Sequence, residues 1–265
     1  MRAAGAPKRR AFTLTELLVV LAIVGVLAAL LLPAVGRAQA KARDIRCMSN
    51  VRQLSLALSR FVSQNAAYPL FINFGAPQNI FPEHSSSWRA SIVPDGLSPP
   101  SRPEAHAFEG GVWDCPAASK PGNWPANEGY SDYGYNGYGM GTSAPDDGLG
   151  LGGHLGDPGA QQWSSPVKES EVVALADTYA LGDGLVGWKE RVADGRSGIW
   201  RHREEVRDPG SPARAQRRHH GLANIAFCDG HVEAVALQTL FADESDSALR
   251  RWNRDHTAHL ERLRP

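Results

Sequence analysis

The sequence predicts an α+β chain: a long N-terminal helix, half membrane-crossing and half amphipathic, packed on a small antiparallel β-sheet head with long loops. Three observations carry this. Leu17 to Gly36 is twenty residues without a charge. Beyond it, apolar residues recur at three- and four-residue steps as far as Val62. Near the C-terminus, Asp229-Gly230 separates two alternating segments, the strongest short-range hairpin signal.

The apolar run comes first. As a helix at 1.5 Å per residue it spans ~30 Å, about the thickness of a bilayer's hydrocarbon core. Basic residues precede it (Arg2, Lys8, Arg9, Arg10) and follow it (Arg37, Lys41, Arg43, Arg46), so loop charge alone does not orient it. Glu16 stands at its start. A carboxylate there costs on the order of 2–3 kcal/mol on insertion scales, so a partner for the charge is expected.

The run Ala11-Phe12-Thr13-Leu14-Thr15-Glu16-Leu17-Leu18-Val19-Val20 resembles the N-terminal signal of type IV prepilins and type II secretion pseudopilins. The resemblance implies cleavage by a prepilin peptidase between Ala11 and Phe12 and methylation of Phe12. It makes Glu16 the acid that meets a neighbouring subunit's terminal amine during assembly. Pro33 also matches a proline usual in that family's helix. Ala11 departs from the usual glycine and Thr15 from the usual large aliphatic. Also implied are copies of the chain and other pilin-like subunits as partners, an inner-membrane assembly platform, and contact with membrane lipid. The N-terminus would then be cytoplasmic and the head extracytoplasmic in a bacterial inner-membrane, single-pass protein, assembled in the periplasm or at the cell surface. The charge logic agrees: an amine and a carboxylate from adjacent subunits satisfy each other in a low-dielectric bundle. Two readings compete. One is a Sec signal peptide ending at Ala38-Gln39-Ala40, although its apolar region is normally shorter and lacks an acid at its start. The other is an ordinary signal anchor.

Residues 1–11 thus read as leader, 12–36 as the membrane and assembly segment, and 37–64 as the amphipathic half of the same helix. In that half Ile45, Met48, Val51, Leu54, Leu58, Phe61 and Val62 form the core-facing stripe. Asn65-Ala66-Ala67-Tyr68-Pro69 ends a helix of ~75–80 Å, with Pro33 and Gly36 able to kink it.

Residues 65–265 read as a β-rich head. Its size allows one core and not clearly two. A net charge of zero leaves no global field to draw nucleic acid. Gly148, Gly150 and Gly153 match a dinucleotide fingerprint formally, but no strand precedes them and no helix follows. Val172–Leu175, Tyr179–Leu181 and Gly198–Trp200 are strand candidates, with Gly182-Asp183-Gly184 as a turn. Six arginines between Arg201 and Arg218 read as a solvated loop. Three cysteines, Cys47, Cys115 and Cys228, make an odd count. Outside the cytoplasm one disulfide and one buried thiol is the simplest arrangement, with Cys47–Cys115 the pairing taken; three buried thiols are the alternative.

The hairpin occupies 219–236. Two loop residues, Asp229 and Gly230, place Cys228 opposite His231, Phe227 opposite Val232, and Ile225 opposite Ala234. His219, nine residues, then Asp229-Gly230 resembles the H-X9-DG motif of a large family of pseudopilin-like bacterial proteins. Cys47–Leu58, Tyr133–Asn136, Val167–Val173 and Arg250–His256 resemble pieces of that family too. The motif reads as structural, with His219 hydrogen-bonding the turn or a neighbouring backbone and His231 half-exposed. His219, Asp229 and His231 are nevertheless the candidate divalent-metal ligands. Calcium is a further candidate cofactor, at Asp146, Asp147 and Asp157, because major pseudopilins carry a calcium loop. Leu249, Trp252, His256 and Leu260 suggest a C-terminal helix over 243–263.

The preferred function is a non-enzymatic structural subunit of a type II secretion pseudopilus or type IV pilus-like fibre. The alternative is a membrane-tethered extracytoplasmic metal-binding or enzymatic domain built on the hairpin histidines.

Overall fold

The computed structural model describes residues 13–70, 88–92, 111–117, 133–137, 139, 148–157, 162–183, 219–241 and 243–260. The first helix, α1, runs Leu14–Asn65 with Pro33 inside it. The chain divides into two compact units, Met1–Ala42 and Arg43–Pro265.

In the first unit every large apolar side chain from Leu14 to Val35 is exposed. It is the one helix among the described residues long and apolar enough to cross a membrane. In the second unit the helix changes character. Cys47, Asn50, Val51, Leu54, Ser55, Ala57, Leu58 and Val62 are buried, largely at three- and four-residue spacing. Ile45, expected in that stripe, is exposed. It stands two residues from Cys47, roughly 200° around the helix, and so on the far side.

The head's main sheet has four antiparallel strands. They are β1 (Tyr133–Tyr135), β4 (Tyr179–Asp183), β5 (Leu222–Phe227) and β6 (Val232–Ala236), in spatial order β1-β4-β5-β6. A separate hairpin pairs β2 (His154–Asp157) with β3 (Gln162–Ser165). The α+β expectation holds. Sheet and helix share one apolar core, in which Val51, Leu54, Tyr135, Tyr179, Ile225 and Trp252 are all buried. Trp88, on the short α2 (Trp88–Ile92), stacks on Tyr135 at 5.2 Å between ring centroids.

The hairpin register differs from the expected one by a residue. Ile225 pairs with Glu233, Ala226 with Val232, and Phe227 with His231. Three residues, Cys228 to Gly230, make the loop, closed by Gly230 N–H donating to Phe227 O at 3.0 Å. Gly230 has φ +95°, whereas Asp229 is not among the positive-φ residues. One left-handed position makes a three-residue loop; a type I′ turn needs two. Val232 and Val235 therefore lie on opposite faces, and Val235 is the buried one.

Three further expectations are corrected. Gly182 and Asp183 belong to β4, because Asn224 holds the Asp183 carboxylate within the sheet. Val172–Leu175 is no strand: it links single 3₁₀ turns at Glu169–Glu171 and Leu175–Asp177. The C-terminal region holds only the short helices α3 (Leu237–Phe241) and α4 (Asp246–Leu249), with a 3₁₀ turn at Arg250–Trp252. Left-handed His256 (φ 56°) and His259 (φ 48°) cannot continue a right-handed helix. Gly150 is not part of a phosphate loop: a Cβ there would lie 2.4 Å from the Gly139 backbone nitrogen, so it marks a crossing of two chain segments. Gly198–Trp200, Arg201–Arg218, Asp146 and Asp147 lie outside the described residues.

Candidate functional site

Two places carry chemistry. The first is the start of α1. Thr13 N–H and Thr13 Oγ1 donate to Glu16 Oε2 at 2.9 and 2.8 Å, and Glu16 N–H donates to Thr13 Oγ1 at 3.2 Å. This reciprocal pairing is a capping box, satisfying amides that the first helical turn leaves without partners. The sequence signature Thr-x-x-Glu was there to be read, and sequence reasoning missed it. Glu16 thus has a partner within its own chain. Ala11 and Phe12 lie outside the described residues.

The second place is the start of β5. His219, His220 and Gly221 have φ of +46°, +56° and +84°, three successive left-handed residues. Two of them bear a Cβ, a conformation that persists only where surrounding contacts impose it. The contacts are plain. His219 Nδ1 lies 2.8 Å from Asp44 Oδ1 on α1. Its Nε2 lies 3.3 Å from Asp183 Oδ2 on β4 and 3.3 Å from Cys115 Sγ. Cys115 is disulfide-bonded to Cys47 on α1. Asp183 Oδ2 also accepts from Asn224 N–H (2.7 Å) and Nδ2–H (2.9 Å). Burial pulls the His219 pKa down, but the Asp183 and Asp44 carboxylates outweigh it and hold the imidazole above its ordinary value. His219 therefore bonds carboxylates, not the turn or a backbone as expected.

The other end of the motif reaches the same helix. Ser55 Oγ–H donates to Gly230 O at 3.2 Å. Asp229 and His231 stay at that end. His231 stacks on Phe227 (4.2 Å, 12°), and its Nδ1 lies 2.5 Å from Asp229 Oδ1. A six-residue strand spans roughly 17 Å. The structure therefore places His219 at the opposite end of β5 from Asp229 and His231. His231 is half-exposed, as expected, but pairs with Phe227 and not Cys228.

The remaining pieces of the sequence resemblance converge. Buried Asn136 donates through Nδ2 to Tyr179 O (2.7 Å) and Trp252 O (2.8 Å). Arg254 Nη1 donates to Gly148 O and Gly150 O. Val167–Val173 receives the end of α1, with Tyr68 N–H donating to Val167 O at 2.8 Å.

Residues 6–32 match the model of the prokaryotic N-terminal methylation motif. The N-terminal segment is prepilin-like. Over 67 residues, 25% of this chain, the sequence is 37% identical to the type IV major pilin protein PilA of Myxococcus xanthus. It covers 30% of that relative's length. No solved structure matches.

Proposed function

We propose that the chain is a pilin-like structural subunit, cleaved by a prepilin peptidase between Ala11 and Phe12, methylated on Phe12, and assembled with copies of itself and other pilin-like subunits. The observation that carries this is the methylation motif over residues 6–32, which runs into a helix that is apolar and exposed to Val35 and buried in a head from Cys47. A lipid- or bundle-facing segment joined to a folded domain is what a subunit packed through its helices needs. The Cys47–Cys115 disulfide supports an extracytoplasmic head, since such bonds persist in oxidising compartments. The cytoplasmic N-terminus, the inner-membrane assembly platform and the fibre, of type IV pilus or type II secretion kind, belong to the same reading.

Mass spectrometry of the protein purified from membranes tests it. The expected species starts at Phe12 and carries one methyl group on its amine. A mature start at Lys41, after Ala38-Gln39-Ala40, overturns the reading in favour of a Sec signal peptide.

A further inference from the structure

Cys47 Sγ, Cys115 Sγ and His219 Nε2 all lie within 4.8 Å of one another, and all three residues are buried. Two sulfurs and an imidazole nitrogen are a soft-to-borderline donor set. In the disulfide the sulfurs are bonded to each other and bind no metal. Reduced, they are two thiols on backbones whose Cα atoms are 5.0 Å apart. Tetrahedral zinc, with Zn–S ~2.3 Å and Zn–N ~2.0–2.1 Å, sets S···S at about 3.8 Å and S···N at about 3.5 Å. Side-chain rotation reaches that spacing, and the Cys115 Sγ–His219 Nε2 distance is already 3.3 Å.

Two further features point to a ligand. Asp44 holds His219 Nδ1, leaving Nε2 as the nitrogen aimed at the sulfur; a carboxylate on the far nitrogen is the usual orienting partner of a metal-bound histidine. Asp183, 5% exposed, reaches the same Nε2, and its Oδ1 is buried with no hydrogen-bond partner among the described residues. A buried carboxylate oxygen without a partner is expensive, and a cation would supply one.

We propose that opening the Cys47–Cys115 disulfide creates a site for one zinc-like divalent cation, held by the Cys47 and Cys115 thiolates, His219 Nε2 and the Asp183 carboxylate, with Asp44 as the positioning residue. A phosphine reductant opens the bond: the phosphine becomes its oxide with oxygen from water, and the two sulfurs take two electrons and two protons. Metal binding then releases both thiol protons, and the His219 proton where the ring is charged. The head thereby has two mutually exclusive closures of the same joint, a disulfide or a metal, each tying α1 to the loop that carries Cys115.

The test uses the full-length chain in detergent micelles, with Co²⁺ as the spectroscopic probe and Zn²⁺ as competitor. The phosphine-reduced chain is expected to take one Co²⁺, showing a sulfur-to-cobalt charge-transfer band and the strong visible bands of a tetrahedral site, both erased by Zn²⁺. The untreated disulfide form is expected to show neither. Cys115→Ser should cut the charge-transfer band to half or less, and Asp183→Asn should weaken binding about 10-fold or more. Zn²⁺ should raise the unfolding temperature of the reduced chain and leave the oxidised chain unmoved. That last readout needs no substituted protein. A reduced chain without the bands overturns the proposal, as does one that unfolds and is not restored by Zn²⁺. Equal binding by the disulfide form overturns it too.

Discussion

Asp44 Oδ1 lies 2.8 Å from His219 Nδ1, joining residues 175 positions apart, and Ser55 Oγ bonds Gly230 O across the same separation. Eleven residues of helix rise ~16–17 Å, and the strand between the two contacts spans roughly 17 Å. Six of the nine residues between His219 and Asp229 form β5, and the two contacts fasten that strand to α1 at both ends. His219→Gln should leave Asp44 and Asp183 without the imidazole they share and destabilise the head by on the order of 3 kcal/mol. The unfolding temperature should fall by roughly 6–12 °C.

The same pair sets a pH dependence. The folded His219 pKa is raised, so the stability that the charged ring contributes is full below the unfolded value of about 6.5 and fades as pH rises through the folded value. Thermal melts of the full chain in detergent, with and without His219→Gln, check this. The gap between the two should be wider at about pH 5.5 than at about pH 8.5. A gap that widens with rising pH would show that the ring acts as a neutral hydrogen-bonding group.

Gly230→Val should be a worse lesion than His231→Ala. At Gly230 φ is +95°, and the nearest neighbour of an added Cβ, Ser59 Oγ, is 3.5 Å away. Space is therefore not the obstacle; the left-handed backbone is, at roughly 1–3 kcal/mol for a β-branched residue. The relaxed alternative is a slipped loop, which would pull Gly230 O away from Ser55 and reverse the faces of β6. Removing His231 loses a ring stack on Phe227 and two surface contacts, to Asp229 and Glu233, worth about 1 kcal/mol. Comparing the two melting temperatures decides it.

Much of this was legible beforehand, for identifiable reasons. A helix from Leu14 to Asn65 announces itself because twenty uncharged residues and a three–four stripe are long, periodic signals. The Cys47–Cys115 disulfide joins the pairing taken from the sequence. The hairpin's existence was visible in Asp229-Gly230, but its register was not: two- and three-residue loops both use Asp and Gly, and β5 is buried on both faces, so the apolar pattern does not arbitrate. The Asp44–His219–Asp183 row was hidden for another reason. Its members come from a helix, a strand terminus and a second strand, and only tertiary packing assembles them. In the C-terminal segment, Leu249 and Trp252 do face the core, but left-handed His256 ends the helical geometry that their spacing suggested.

Cys228 is expected to resist modification. Burial pushes its thiol up to about 12; the nearby Tyr68 hydroxyl pulls the other way and the Asp229 charge adds to the rise. The residue as a whole is half-buried, but the thiolate is the reactive species and is scarce at pH 8. Mass spectrometry after iodoacetamide should find no rapid adduct on the native chain, one after denaturation without reductant, and three after denaturation with reductant. Rapid native labelling of Cys228 would mean that its pocket opens readily.

Glu16 has two possible jobs, and two substitutions separate them. Its carboxylate caps α1 through Thr13, and under the proposed function it also pairs with a neighbour's methylated amine. Glu16→Ala removes both roles. Glu16→Gln keeps an oxygen that accepts from Thr13 N–H and Oγ1–H, since glutamine serves at this position of a capping box, but it removes the charge. Neither variant should harm membrane insertion: Glu16→Ala lowers its cost by on the order of 2–3 kcal/mol, and Glu16→Gln removes the charge while keeping a polar amide. Glu16→Ala should fray the first helical turn at a penalty of roughly 0.5–2 kcal/mol, and Glu16→Gln should not. If charge pairing between subunits drives assembly, both variants insert, both are cleaved before Phe12, and neither forms fibres or crosslinked oligomers. The amine that would face residue 16 is left buried without a counter-ion in either case, and that penalty does not depend on the cap. Counting assembled subunits for the two variants is the measurement. Fibre formation by Glu16→Gln at the level of the unsubstituted chain, with failure of Glu16→Ala, would assign Glu16 to the helix cap and sink the pairing.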